Sequence, residues 1–108
     1  NNAHQAMPTV SAYNASKAGV NMLTRVLALE WAAYGVNVNA LAPGEYHTAM
    51  TSSIWTDETA RLELEDLIPM HRGGNVEDLG ALAVYLASAA SDYMTGQVLY
   101  LDGGLTAK

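Results

Sequence analysis

From Ala12 to Tyr34 the chain is continuously compatible with helix, about six turns without a proline. Ala15, Gly19, Met22, Leu23, Val26, Leu27, Glu30 and Trp31 follow one another at three- and four-residue steps, the period of helix faces. Small residues come first and allow a neighbour to approach closely; Leu and Trp come later and suit a core. Ser11 is placed to cap this helix and Gly35 to stop it. Val36 to Ala42 alternates and then turns apolar, which predicts a buried parallel strand ended by Pro43-Gly44.

Beyond that strand, Thr48, Thr51, Ser52 and Ser53 interrupt any periodicity, so Glu45 to Thr56 reads as loop. Asp57 to Leu67 predicts a short acidic helix capped by Asp57, and residues 68–75 a second loop. Val76 to Ala89 has Leu79, Leu82, Ala83 and Leu86 on one stripe and predicts an amphipathic helix. Ser91 to Gln97 turns the chain into a last strand, Val98 to Leu101. The order helix, strand, helix, strand is α/β and contains one βαβ crossover, expected to be right-handed. Two strands do not make a stable open sheet. The pattern therefore reads as part of a larger sheet.

Composition points the same way. Half of the 108 residues are hydrophobic and 15% are charged, too few polar residues for helices that must cover their own surface. The net charge of −6 offers no basic patch for nucleic acid or an anionic membrane. With no cysteine there is no disulfide and no thiol-ligated metal, which is compatible with a cytoplasmic location. No apolar run approaches a membrane span.

The candidate chemistry lies at the start of the long helix, in Tyr13-Asn14-Ala15-Ser16-Lys17-Ala18-Gly19. Positions four apart share a helix flank one turn apart. An ammonium beside a phenol favours the phenolate and draws the tyrosine pKa down towards working pH. Such a tyrosine can pass a proton to or from a carbinol or carbonyl oxygen, the acid–base half of an alcohol–ketone interconversion. His4, His47 and His71 match no compact metal-ligand spacing, so no metal is expected. Asp57, Glu58, Glu63, Glu65 and Asp66 read as a solvated face rather than as paired catalytic carboxylates.

Four features in order, Tyr13-x-x-x-Lys17, the small residues after Tyr13, Pro43-Gly44 at a strand end, and Thr95 to Gly104 at the close, resemble the C-terminal half of a short-chain dehydrogenase/reductase of the classical type. The likeness covers nearly all of the chain. It implies the C-terminal part of a Rossmann-like doubly wound parallel sheet and an NAD- or NADP-dependent oxidoreductase that interconverts a secondary alcohol and a ketone. Tyr13 would be the proton donor or acceptor. Lys17 would lower its pKa and hold the nicotinamide ribose. Pro43, Gly44, the Tyr46 main chain and the Thr48 hydroxyl would meet the nicotinamide carboxamide. Members often carry an aliphatic residue where Tyr46 stands, a change that a main-chain contact tolerates. His4 and His47 would lie near the substrate mouth, and Arg72 would pack and pair structurally.

The Gly-rich pyrophosphate turn of such enzymes does not occur in these 108 residues, and by spacing their catalytic serine falls one position ahead of Asn1. The expectation is thus the second half of one domain, residues 1–108, with the dinucleotide-binding half outside it. Small-molecule alcohols or ketones are the expected partners, with a homotetramer or homodimer as the expected assembly. The alternative is a catalytically silent fragment that serves as an assembly or interaction module.

Overall fold

A computed structural model describes residues 11–107, with Tyr13 described by its backbone alone. Helix α1 runs Ser11–Trp31 and continues as a 3-10 turn, Ala32–Tyr34, ended by Gly35 at φ 72°. Strand β1 is Ala40–Pro43, and helices α2 (Ser52–Thr56) and α3 (Glu58–Leu67) follow. Helix α4, Val76–Ala87, a 3-10 turn at Ala89–Ser91 and strand β2, Val98–Leu101, complete the chain. The strands pair in parallel with Ala40 opposite Val98 and Pro43 opposite Leu101. The expected parallel βαβ unit is therefore present.

Four local expectations change. Ser11 is itself helical rather than a cap outside the helix. The long helix also tightens to 3-10 form over its last three residues, and α4 stops at Ala87. Residues 52–56 are helical rather than loop.

The largest change is in β1, which begins at Ala40 and not at Val36. The reason lies in its two asparagines. The Asn37 side-chain amide donates to Asp92 O (3.0 Å) and the Asn39 amide to Met94 O (2.9 Å), while Asn39 Oδ1 accepts from Gln97 N (3.1 Å). The main chain joins in: Val38 N donates to Thr95 Oγ1, and Gly96 N donates to Val38 O at 2.7 Å. Side-chain bonds thus stand in for strand ladder before the regular register starts.

The acidic helix is as expected. Asp57 Oδ1 caps α3 by accepting from Ala60 N at 3.1 Å, and Arg61 pairs with Glu65 at 2.9 Å. Asp57, Glu58, Glu63 and Asp66 face solvent.

Packing is concentrated where the chain returns past β2. Ile68 is 1% exposed, and burial of such a side chain is worth about 1.5–3 kcal/mol. It sits on Gly103, where an added Cβ would come within 2.7 Å of Ile68 Cγ2, while one on Gly104 would press on Pro69 at 3.2 Å. Both glycines also have positive φ, 64° and 90°, so this turn excludes side chains on two grounds. Met70 N donates to Gly103 O at 3.1 Å and ties the two loops together.

Elsewhere the described residues leave apolar side chains uncovered. Ala28, Tyr46 and Ile68 are buried, whereas Val20, Met22, Leu23, Leu29, Tyr34 and Val84 are exposed, Leu29 by 81%. Alone in solution, the 108-residue chain is expected to self-associate and to bind a hydrophobic-surface dye strongly. Light scattering and dye fluorescence check this; a non-binding monomer with a sharp cooperative melt would contradict it.

Candidate functional site

The turn after β1 is built around the carbonyl of Leu101 at the end of β2. It accepts two hydrogen bonds, from Gly44 N at 3.1 Å and from the Tyr46 hydroxyl at 2.9 Å. Gly44 crosses so close to Asp102 that an added Cβ would lie 2.6 Å from the Asp102 Cα. One strand end thereby fixes where the other strand's turn departs.

Tyr46 is 6% exposed. Its ring lies under Gly74, where a Cβ would meet the ring at 2.4 Å, and Gly74 N donates to Glu45 O at 2.9 Å, giving an isolated parallel bridge. The phenol, Asp78, Asp102 and Arg72 line a cavity of ≈330 Å³. Burial, and then the carboxylates of Asp78 and Asp102, push the Tyr46 phenol above its ordinary range, with Arg72 pulling the other way. Burial alone would raise Asp102 as well. Hydrogen bonds from Thr106 Oγ1 (2.6 Å), Gly104 N (2.9 Å) and Thr106 N (3.0 Å) outweigh it and hold this carboxyl below its usual range.

On the other side of the turn, His47, Thr48, Ala49, Ser52, Trp55 and Thr56 line an open hollow of ≈420 Å³. The His47 and Trp55 rings stack with centroids 3.8 Å apart. Trp55 Nε1 donates to Tyr46 O at 3.0 Å, and Thr51 Oγ1 donates to the same carbonyl at 2.7 Å. Thr48 N in turn donates to Thr51 Oγ1 at 3.0 Å. These bonds explain why residues 52–56 are helical despite poor propensity: Trp55 is tethered from within the turn. Among the described residues the Tyr46 N–H makes no hydrogen bond. The turn thus offers one main-chain donor at Tyr46 and one hydroxyl at Thr48, a complement to a primary carboxamide, which presents one acceptor and one pair of donors.

Of the residues singled out from sequence, Pro43, Gly44, Tyr46, His47 and Thr48 come together at this turn. Tyr13 and Lys17 stand one turn apart in the first two turns of α1, with Lys17 exposed. Tyr13 precedes Ala28 by about 22 Å of helix, and Ala28 packs at the approach to β2, 3.4 Å from a Cβ placed on Gly96. His4 lies outside the described residues. His71 adopts φ 51° in the loop before α4 and does not line the hollow. Arg72 is exposed and donates to Gly73 O at 3.1 Å. Sequence reasoning missed Thr51 and Trp55; the signal was two hydrogen-bonding side chains four residues apart just after Thr48.

Comparison with known proteins decides the family. Residues 1–106 match the family model described as Enoyl-(Acyl carrier protein) reductase. The chain belongs to the short-chain dehydrogenase/reductase family. It is 48% identical over 99 residues to the 3beta-hydroxysteroid dehydrogenase 1 of Eggerthella lenta, covering 92% of this chain and 38% of that protein. It is 50% identical over 95 residues to the 2-dehydro-3-deoxy-D-gluconate 5-dehydrogenase of Bacillus subtilis, covering 88% of this chain and 37% of that one.

Among solved structures of the family, a gluconate 5-dehydrogenase from Burkholderia cenocepacia in complex with NADP and tartrate superposes with a TM-score of 0.89 at 40% identity. That match covers 99% of this chain and 42% of the other. The fold is accordingly the α/β Rossmann type of this dehydrogenase family. The chain spans under two fifths of the length of these curated relatives. Among the described residues no helix is long and apolar enough to cross a membrane.

Replacing Tyr46 by Phe keeps the ring and deletes the hydroxyl's bond to Leu101 O. A loss of about 1 kcal/mol is expected, a drop of a few degrees in the melting temperature of the intact protein. The sign with pH follows from the raised phenol: the folded state keeps its proton to higher pH than the unfolded one. The stability difference between the unsubstituted protein and the Tyr46→Phe variant is therefore full below about pH 10 and shrinks as pH rises through the folded value. Melting curves from about pH 7 to 11 test this; a difference that grew with alkalinity would contradict it.

Proposed function

We propose that this chain is the C-terminal half of one dehydrogenase subunit and that the intact subunit interconverts a secondary alcohol and a ketone with NAD or NADP. The supporting observation is the turn after β1: an unengaged main-chain donor at Tyr46 beside the Thr48 hydroxyl, held rigid by β2, suits the carboxamide of a nicotinamide ring. Curated relatives named as hydroxysteroid and gluconate dehydrogenases support the reaction class, and family structures with NADP bound support the cofactor. Pro43 and Gly44 lie at the strand end, the usual ligand position in an open parallel sheet.

A bound nicotinamide would supply the hydride donor or acceptor. The chain's own part is to move the proton. Tyr13 gives its phenolic proton to a carbonyl oxygen during reduction or takes the carbinol proton during oxidation. Lys17, one turn further along the same flank, lowers the Tyr13 pKa and would hold the ribose. Tyr46 N–H and Thr48 would hold the ring's carboxamide. His47, held flat by Trp55 at the rim of the hollow, and His4 are placed to touch substrate. The uncovered faces of α1, α4 and the sheet suit the rest of the subunit and a homotetramer or homodimer built on it, in the cytoplasm.

A second reading is favoured by the exposed apolar faces themselves: a silent fragment that acts only in assembly. Assay of the intact protein separates the two. Tyr13→Phe is expected to lower kcat by about two to four orders of magnitude while the Kd for NAD or NADP changes by less than about threefold. Full activity in that variant would remove the proton role of Tyr13; no cofactor binding or turnover by the unsubstituted protein would favour the assembly reading.

A further inference from the structure

We infer that Thr51 is a positioning residue: it fixes the direction of the Thr48 hydroxyl proton and so makes the turn after β1 selective for a primary carboxamide over other groups on the cofactor ring. The inference rests on the dinucleotide reading above and goes one residue deeper.

Proton accounting carries it. Thr51 Oγ1 has one proton and, besides Thr48 Oγ1 at 3.1 Å, two carbonyl acceptors in reach, Tyr46 O at 2.7 Å and Thr48 O at 3.4 Å. The shortest contact is at the optimum for an O–H···O bond and the other two are longer than that range, so the proton goes to Tyr46 O. Thr51 Oγ1 is then an acceptor towards everything else. At its 3.1 Å contact with Thr48 Oγ1, where either oxygen could on geometry alone donate, the donor must be Thr48.

The lone pairs agree. Thr51 Oγ1 has two, and Thr48 N–H (3.0 Å) and Thr48 O–H (3.1 Å) fill them. Trp55 Nε1 lies 3.0 Å from Tyr46 O and 3.2 Å from Thr51 Oγ1, so its proton leans to the carbonyl and leaves the threonine free for Thr48.

Thr48 thereby turns its proton inward. One of its lone pairs faces Thr51 N at 3.3 Å and the other is left as an acceptor with no proton to offer. That arrangement accepts from an amide NH2 and rejects a group that presents only acceptors. Next to it, the Tyr46 N–H donates to an amide oxygen. A methyl ketone at the same ring position can satisfy Tyr46 and not Thr48. With Thr51 unable to hold the proton inward, Thr48 can rotate to donate or accept, and the discrimination falls.

The test measures binding on the intact protein by calorimetry, with NADP and its 3-acetylpyridine analogue, and with the corresponding NAD pair. The unsubstituted protein is expected to prefer the carboxamide by about tenfold, the worth of one hydrogen bond of this kind. Thr51→Val, which keeps the shape and removes the hydroxyl, is expected to bring the ratio within about twofold, and Thr51→Ser to restore it. Thr51→Ala carries the same expectation should the valine variant fail to fold. A general loosening of the turn would weaken both ligands together and leave their ratio unchanged. An unchanged ratio in the hydroxyl-free variants therefore overturns the inference while the dinucleotide reading stands. No binding of any of the four by the unsubstituted protein overturns both.

Discussion

The carbonyl of Leu101 is the fixed point of this molecule. At the end of β2 it takes hydrogen bonds from Gly44 N and from the Tyr46 hydroxyl, so the turn that leaves β1 is locked to the neighbouring strand rather than free at the sheet edge. The consequences propagate outward. With Tyr46 pinned, its ring fills the space beneath Gly74 and ties in the loop before α4. Its carbonyl faces Thr51 and Trp55, which convert a serine- and threonine-rich stretch into a short helix and define the hollow beside His47 and Thr48. A pair of hydrogen bonds to one oxygen thus separates a structural cavity, lined by Asp78 and Asp102, from the face that suits a ligand.

The long elements were legible because their signals are redundant. The apolar period of α1 and α4, the capping Asp57 and the apolar run of β2 each point to one answer, and the parallel pairing follows from their order. Residues 36–39 misled because an asparagine in an alternating pattern reads as the outward face of a strand. Here Asn37 and Asn39 turn to the main chain of residues 91–97 and hold the approach to β1 by side-chain bonds. Helix α2 was illegible for the opposite reason. Its residues have no helical preference, and the tether that organises them, Trp55 to Tyr46 O, is tertiary.

The site divides along the same line. Tyr13 and Lys17 could be proposed as a pair from sequence because four-residue spacing on a helix has a direct chemical meaning. The turn was readable as Pro43-Gly44 followed by Thr48. The role of the Tyr46 side chain was not, since nothing local in sequence says that its hydroxyl reaches Leu101, far along the chain. Membership of the short-chain dehydrogenase/reductase family makes sense of the uncovered faces too. The described residues leave apolar side chains of α1 and α4 exposed, and the chain spans under two fifths of the length of these curated relatives.

The central claim is that the turn after β1 is held in advance by β2 so that the Tyr46 N–H can receive a nicotinamide carboxamide. The most direct measurement is the backbone amide resonance of Tyr46 in isotope-labelled intact protein during titration with NADP, or with NAD. The account predicts that this amide shifts as a hydrogen bond forms and becomes protected from exchange with solvent at saturation. A Tyr46 amide that neither shifts nor gains protection while cofactor saturates the protein would contradict it.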